Sequence, residues 1–319
     1  MTRIGTSDLD VFPLNLGSNV FGWTASRDES FAVLDAFVAG GGDFIDTADS
    51  YSAWVPGNSG GESELIIGEW MNKRGARDRV VVATKVSQHP DFRGLAADNV
   101  IDAADASLTR LGTDHIDLYY AHFDDENTPL EETVEAFDAL VRSGKVRHVG
   151  ISNYSADRID QWVAIAQDRG YALPVALQPH YNLVHREPFE SELAQRAERH
   201  GLGVMPYFAL AAGLLSGKYS SRDDLDGAAR AGQLGGYASD QAFAVVDALR
   251  DIAGQRGVAV ASVSLAWLRH QPTVVAPIAS ARSVEQLPDL LASATLDLSV
   301  EELARLDAVS APDGEKTLS

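Results

Sequence analysis

Four side chains carry the residue types and the sequence context for acid–base chemistry: Asp46, Tyr51, Lys85 and His122. In the stretch FIDTADSYSAW, Phe44 and Ile45 read as the end of a buried strand. An ionised Asp46 leaving that strand loses hydration unless a cation or a hydrogen-bond donor meets it. Lys85 closes a second apolar run, VVVATKV, and is one of only five lysines among 26 basic residues, so it stands as the expected partner. Tyrosine ordinarily ionises near ~10, so a tyrosine that delivers protons at neutral pH calls for a nearby cation to stabilise its phenolate. Lys85 is placed to be that cation, Asp46 to hold it charged, and His122 to donate a hydrogen bond to an oxygen that gains negative charge. Such a set suits proton delivery to a carbonyl that receives hydride.

These residues lie far apart in sequence, so the elements between them must bring them together. Apolar, β-branched runs alternate with longer helical patterns, the signature of repeated βαβ units around a parallel sheet. Eight strands are expected, in PLNLGS, DFIDTA, RVVVATKV, IDLYYAH, VRHVGIS, PVALQP, LGVMPYF and TVVAPIA. Helical spacing marks ESELIIGEWMNKRG, AADNVIDAADASLTRLG, LEETVEAFDALVRSGK and ESELAQRAERHG, with glycine near several ends. Eight strand–helix units in 319 residues favour an α/β fold of the closed (β/α)8 TIM barrel type, read as one domain over 1–319, with extra C-terminal helices. No G-x-G-x-x-G follows the first strand, which argues against an open dinucleotide-binding sheet. Residues 2–13, TRIGTSDLDVFP, read as an N-terminal β-hairpin able to plug one mouth, and Phe208 to Ser239 as a functional loop. In a barrel the strand ends share one face. That face would gather Asp46, Lys85, His122, Ser152, Asn153, Gln178 and Tyr207.

A net charge of −20 repels nucleic acid and anionic lipid, so neither is expected as a partner. No apolar run approaches the ~20 residues of a membrane helix. The absence of cysteine and of an apolar leader around Asp8 and Asp10 fits a cytoplasmic protein with no thiolate metal site.

The motifs DTADSYSAW, GESELIIGEWM, VVVATKV, LYYAHFDD and VGISNYS, in this order and approximate spacing, resemble the aldo-keto reductase family; the likeness runs from GTSDLDVFPLNLG to LSVEELARLD. The resemblance implies NADP(H) as cofactor, a small carbonyl or alcohol as substrate, and a catalytic tetrad of Asp46, Tyr51, Lys85 and His122 with Tyr51 as general acid. It further implies that Ser152, Asn153 and Gln178 hold the nicotinamide carboxamide and that Tyr207 stacks on the ring. Leu210, Gly213, Leu215, Ser216 and Lys218 match the loop over the pyrophosphate, and Ser280, Arg282 and Gln286 the adenosine end. Arg282 is placed to pair with a 2′-phosphate, which argues for NADP over NAD. The chain departs from the family pattern at Phe208 and Ala209, where Ser-Pro is usual, and at Pro288, Asp289 and Leu290, near a usual Glu-Asn.

Trp23, Trp54 and Phe123 fall just beyond strand ends and are expected to line the substrate pocket, with SAWVPGNSGG shaping its rim. His89, His115, His148, His180, His185, His200 and His270 gain no role from the sequence. His122 with Asp124 and Asp125 lacks the further ligands a tight metal site needs, so no metal is expected. Two other readings stand beside the reductase: an NADP(H)-binding regulatory barrel that serves a partner, as channel-associated relatives in the family do, and a hydrolase, which needs a second acid at bond-flanking distance from Asp46.

Overall fold

Strands buried on both faces and helices with one apolar face leave this chain few ways to fold, and the computed structural model, which describes residues 1–222, 224 and 234–312, takes the barrel. Its eight parallel strands are β3 (Asn15–Gly17), β4 (Phe44–Asp46), β5 (Val81–Val86), β8 (Ile116–Ala121), β9 (Val146–Ser152), β10 (Pro174–Gln178), β11 (Gly203–Val204) and β12 (Ile278–Ala279). They pair in the order β11-β10-β9-β8-β5-β4-β3-β12. The ends meet, because Val204 pairs in parallel with Val274 and the Ile278 amide donates to the Pro206 carbonyl at 2.9 Å.

The two sheet-end strands are shorter than the runs LGVMPYF and TVVAPIA suggest. Pro206 and Pro277 interrupt them and supply no amide to a ladder. A small antiparallel pair, β6 (Gln88–His89) and β7 (Phe92–Arg93), follows β5 and has no counterpart in the sequence reading.

Helices fill the returns: α1 (Arg27–Ala39), α2 (Glu62–Arg74), α3 (Ala97–Leu111), α4 (Leu130–Arg142), α5 (Ala156–Arg169) and α6 (Ala194–His200), then α7 (Asp240–Arg256), α8 (Val260–Arg269), α9 (Leu287–Ala292) and α10 (Val300–Ser310). Local chemistry sets their limits. Ser26 with Glu29 and Ser299 with Glu302 form capping boxes that satisfy the first amides of α1 and α10. Left-handed glycines 75, 112, 170 and 201 close α2, α3, α5 and α6. The predicted helix at ESELAQRAERHG begins as a π-turn over Phe189–Leu193 before α6. The extra C-terminal helices are present, with α10 packed on α7 and tied to it by a bidentate Arg256–Glu302 pair at 2.7 and 2.6 Å. Among the described residues no helix is long and apolar enough to cross a membrane.

Two apolar layers result. Phe44, Ala83, Leu118, Tyr120, Ala176 and Met205 fill the barrel interior, while Ile45, Val82, Tyr119 and Ala121 face the helices. This alternation decides where the site lies: Asp46 follows Phe44 and Lys85 follows Ala83 at the two-residue period of a strand, so both side chains point inward. Gly150 on β9 makes room for the Tyr120 ring, since a Cβ there would stand 2.4 Å from ring carbons.

The N-terminal hairpin, β1 (Thr2–Arg3) paired with β2 (Asp10–Val11), seals the end where the strands begin. Its Ile4, Leu9 and Val11 are buried in the interior cluster. Gly5, at φ +49°, brings the hairpin so close to Val175, Gly201 and Gly203 that any side chain would collide with their backbone. The opposite mouth, at the strand C-termini, holds the polar residues. Of the Phe208–Ser239 loop, residues 223 and 225–233 lie outside the described residues.

Candidate active site

Lys85 is the centre of the mouth. Its ammonium is fully buried and donates to Asp46 Oδ2 at 2.6 Å, to the Thr47 carbonyl at 2.6 Å and to the Tyr51 hydroxyl at 3.1 Å. The Tyr51 hydroxyl in turn donates to Asp46 Oδ2 at 3.3 Å. All three donor sites of the ammonium are therefore used, and the compensation that a buried ion pair requires is present. Burial still pulls the Lys85 ammonium below its usual range, with Asp46 foremost among the groups that oppose it.

Tyr51 departs from the sequence argument in one respect. That argument weighed Lys85 alone, whereas burial first, and then the adjacent Asp46 carboxylate, hold the phenol well above its ordinary pKa. Tyr51 is thus a retained proton hydrogen-bonded into a charged pair. It becomes a good donor only where another group removes the anionic cost, as an oxygen gaining charge beside Lys85 would.

His122 closes the third side, its ring centroid 6.4 Å from that of Tyr51. Burial and then the Lys85 charge push its pKa well below the usual histidine range, so the imidazole is neutral. Its buried Nδ1 has no hydrogen-bond partner among the described residues. A neutral imidazole with one nitrogen uncommitted toward protein can present the other as a donor to a ligand.

The polar strand ends form a chain leading away from this cluster. Gln178 donates to Asp46 Oδ1 at 2.8 Å, its backbone carbonyl accepts from Ser152 Oγ at 2.8 Å, and Asn153 donates to the His122 carbonyl at 2.8 Å. The Tyr207 hydroxyl donates to Asn153 Oδ1 at 2.7 Å. Asn153 takes φ +56°, a conformation asparagine tolerates better than most residues. Sequence-distant residues 46, 51, 85, 122, 152, 153, 178 and 207 thus meet at one mouth.

After Tyr207 the backbone is strained, with positive φ at Phe208, Ala211, Ala212 and Gly213. Ala211–Ser216 forms a tight turn in which Ser216 Oγ donates to the Gly213 carbonyl at 2.7 Å. Lys218 is exposed and lies over the Tyr219 ring, whereas Leu215 is fully buried in the core, so only its backbone is open to a ligand; Leu210 is half-buried. Beyond β12, Ser280 Oγ donates to Asn19 Oδ1 at 2.6 Å, and the Arg282 amide donates to Gln286 Oε1 at 2.9 Å. The Arg282 side chain is exposed and makes no ion pair among the described residues. Of the departures from the family pattern, Phe208 packs edge-on against Tyr207 at 5.4 Å and Leu290 is buried in the core.

The rim is aromatic. Trp23 and Trp54 meet at right angles with centroids 5.6 Å apart, Trp54 lies 6.3 Å from Tyr51, and Phe123 lies 4.9 Å from His122. Asp124 is not available as a metal ligand, since Arg158 grips it at 2.6 and 2.7 Å, and Asp125 accepts from the Leu95 amide and Thr128. Among the described residues no cluster of three or more His, Asp or Glu could hold a metal ion. The other acids near Asp46 are Asp49 and Glu64, both fully buried, with Glu64 paired to Arg110 at 2.6 Å.

His180 and His185 acquire a place that the sequence did not signal. His180 bridges in parallel to Tyr207, its ring stacks on Tyr207 at 5.2 Å and on His185 at 3.6 Å, and its Nε2 pairs with the Tyr237 hydroxyl at 2.6 Å. The available signal was position: His180 stands two residues beyond Gln178, at a strand end.

A family model for the Aldo/keto reductase family matches residues 13–311. An uncharacterized oxidoreductase of Bacillus subtilis, YrpG, is 35% identical over 98% of this chain and 97% of its own. The norsolorinic acid reductase stcV of Emericella nidulans is 32% identical, covering 93% of this chain and 78% of its own. A probable voltage-gated potassium channel subunit beta of Oryza sativa is 32% identical, covering 89% and 88%.

Proposed function

Because this chain belongs to the Aldo/keto reductase family, we propose that it is an oxidoreductase that reduces an aldehyde or ketone to the alcohol, reversibly, with NADPH. The observation that carries the proposal is the buried Lys85 ammonium shared between Asp46 and the Tyr51 hydroxyl at the barrel mouth.

When bound, the reduced nicotinamide supplies the hydride. The residues at the mouth fit such a group: Ser152 and Asn153 carry polar side chains, Gln178 a carboxamide, and Tyr207 a ring, while Lys218 and Arg282 are exposed cations suited to phosphates. Tyr51 transfers its proton to the substrate oxygen as that oxygen gains charge. Lys85 then stabilises the phenolate, Asp46 keeps Lys85 charged and aimed, and neutral His122 donates a hydrogen bond to the same oxygen. Arg282 as the partner of a 2′-phosphate favours NADP over NAD. A cytoplasmic location remains in keeping with the lack of cysteine.

A second reading, a cofactor-binding barrel that serves a partner, has the rice channel-subunit relative in its favour. One experiment separates the two: purified protein is mixed with NADPH and a panel of reactive aldehydes while the reduced-nicotinamide absorbance is followed. Consumption that needs both protein and aldehyde supports the reductase. Tight NADPH binding with no consumption across the panel supports the second reading, and no NADPH binding at all rejects both.

A further inference from the structure

Two imidazoles stacked face to face are poorly placed to hold a proton, since a charge on one opposes a charge on the other. His180 and His185 stand so, with centroids 3.6 Å apart and planes 16° from parallel. The turn that presents them is fixed. Asn182 and His185 exchange backbone hydrogen bonds at 3.1 and 3.0 Å, the Val184 amide donates to Asn182 Oδ1 at 2.9 Å, and Asn182 Nδ2 donates to the Phe208 carbonyl at 3.0 Å. From His180 the run continues to Tyr207, at 5.2 Å and 21°. Tyr207 is held as well, its amide donating to the Pro179 carbonyl at 2.9 Å and its hydroxyl to Asn153 Oδ1 at 2.7 Å. Three near-parallel rings thus lead from the mouth to the turn after β10.

The groups that face His180 are His185 from the turn, Tyr207 and Phe208 from the segment after β11, and Tyr237 ahead of α7, whose hydroxyl pairs with Nε2 at 2.6 Å. None is charged at neutral pH. Next along the chain, Arg186 is bound to Glu190 at 2.8 Å and Glu187 accepts from Ser191; among the described residues no carboxylate bonds either imidazole. Burial first, and then the neighbouring His185, bring the His180 pKa down to about 4, and burial lowers that of His185.

Resting on the NADPH reading, under which the nicotinamide lies on the other face of Tyr207, we propose that His185 keeps His180 uncharged, so that the oxidised, cationic nicotinamide binds as well in mild acid as at neutral pH. A cation is drawn to an aromatic face, whereas the reduced ring has no charge to be drawn. A proton on His180 would place a like charge one ring beyond Tyr207, on the order of 9 Å from the nicotinamide. At an effective dielectric near ~20 that charge opposes the oxidised form by about tenfold and leaves the reduced form nearly untouched. His180 therefore sets the selectivity between the two redox forms, and His185 is a positioning residue that acts through it. The same neutrality favours hydride transfer, because the nicotinamide acquires its positive charge as the hydride leaves.

The test measures dissociation constants for NADP⁺ and NADPH by fluorescence titration of the full chain at pH 7.5 and 5.5. Their ratio cancels the ionisation of the phosphates that both forms carry. In wild type the ratio should agree within about twofold at the two pH values. His185→Ala uncovers His180 and lets it return toward the ordinary histidine value of ~6.5, so the ratio of the NADP⁺ constant to the NADPH constant should rise about fivefold from pH 7.5 to 5.5. His185→Phe keeps the cover without a titratable group and should behave as wild type. The double variant His180→Phe with His185→Ala should be flat again, since the imidazole that took the charge is gone. A ratio that already rises in wild type, or one that does not move in His185→Ala although both forms bind, overturns the proposal and leaves the reductase reading standing. A rise that persists in the double variant overturns it as well, because another group then carries the charge. A wild type that binds neither form removes the NADPH reading and the proposal with it.

Discussion

Lys85 Nζ stands 2.6 Å from Asp46 Oδ2, with neither charge open to water. In such a pair each charge is tolerated only through the other, and the removal of one partner is far more disruptive than the removal of both. Lys85→Met should destabilise the protein by about 3–5 kcal/mol, as Asp46 is left buried without its cation. The double variant Lys85→Met with Asp46→Leu should recover a substantial part of that loss. Urea unfolding of the two variants measures it, and a double variant less stable than Lys85→Met alone would show that the pair is not what holds the mouth together.

The proton that Tyr51 retains leads to a second expectation. Tyr51→Phe removes the hydroxyl but keeps the ring that packs near Trp54 and His122. Aldehyde reduction should fall by at least about 10²–10⁴-fold, while the dissociation constant for NADPH changes by no more than about threefold. Steady-state rates together with cofactor fluorescence titration read both quantities. Turnover within a few-fold of wild type would mean that another group delivers the proton.

Arg282 governs a third. Its backbone amide is held by Gln286 while its guanidinium is exposed and makes no ion pair among the described residues, the arrangement expected of a side chain kept for an anionic ligand. Arg282→Ala should weaken NADPH binding by about tenfold or more and NADH binding by less than about twofold, since a charge-assisted contact to a phosphate contributes about 1.5–3 kcal/mol. An equal loss for both cofactors would assign Arg282 to a part that they share.

The mouth was legible because strand ends carry function in a barrel and because lysine is scarce here: Asp46, Lys85 and the polar ends of β8, β9 and β10 follow from period-two alternation along apolar runs. What the sequence concealed depends on contacts across strands. Lys85's effect on Tyr51 could not be separated from Asp46's without knowing that both touch the same hydroxyl. The ring stack of His180 on Tyr207 arises from a parallel bridge between residues 27 positions apart, and no local pattern announces it. The pairing that closes the barrel, a bridge between Val204 and Val274, is likewise a contact across strands that neither apolar run announces.

Asp49 supplies the last expectation. It is fully buried behind Lys85, and neither carboxyl oxygen has a hydrogen-bond partner among the described residues. Burial first, and then the Glu64 carboxylate from α2, raise its pKa well above the carboxylate range, against the opposing charges of Arg110 on α3 and Lys85 on β5. A carboxyl whose folded pKa lies above its unfolded value of about 3.9 contributes its stability in acid and loses it as pH rises toward the folded value. Asp49→Asn keeps the shape and removes the ionisation. The variant should therefore be more thermostable than wild type at pH 8, with the gap in Tm shrinking as pH is lowered to 5. Thermal unfolding followed by circular dichroism at the two pH values decides it: a gap that stays constant, or widens toward acid, would mean that Asp49 is ionised in the folded protein and that its charge is compensated by Arg110 and Lys85 after all.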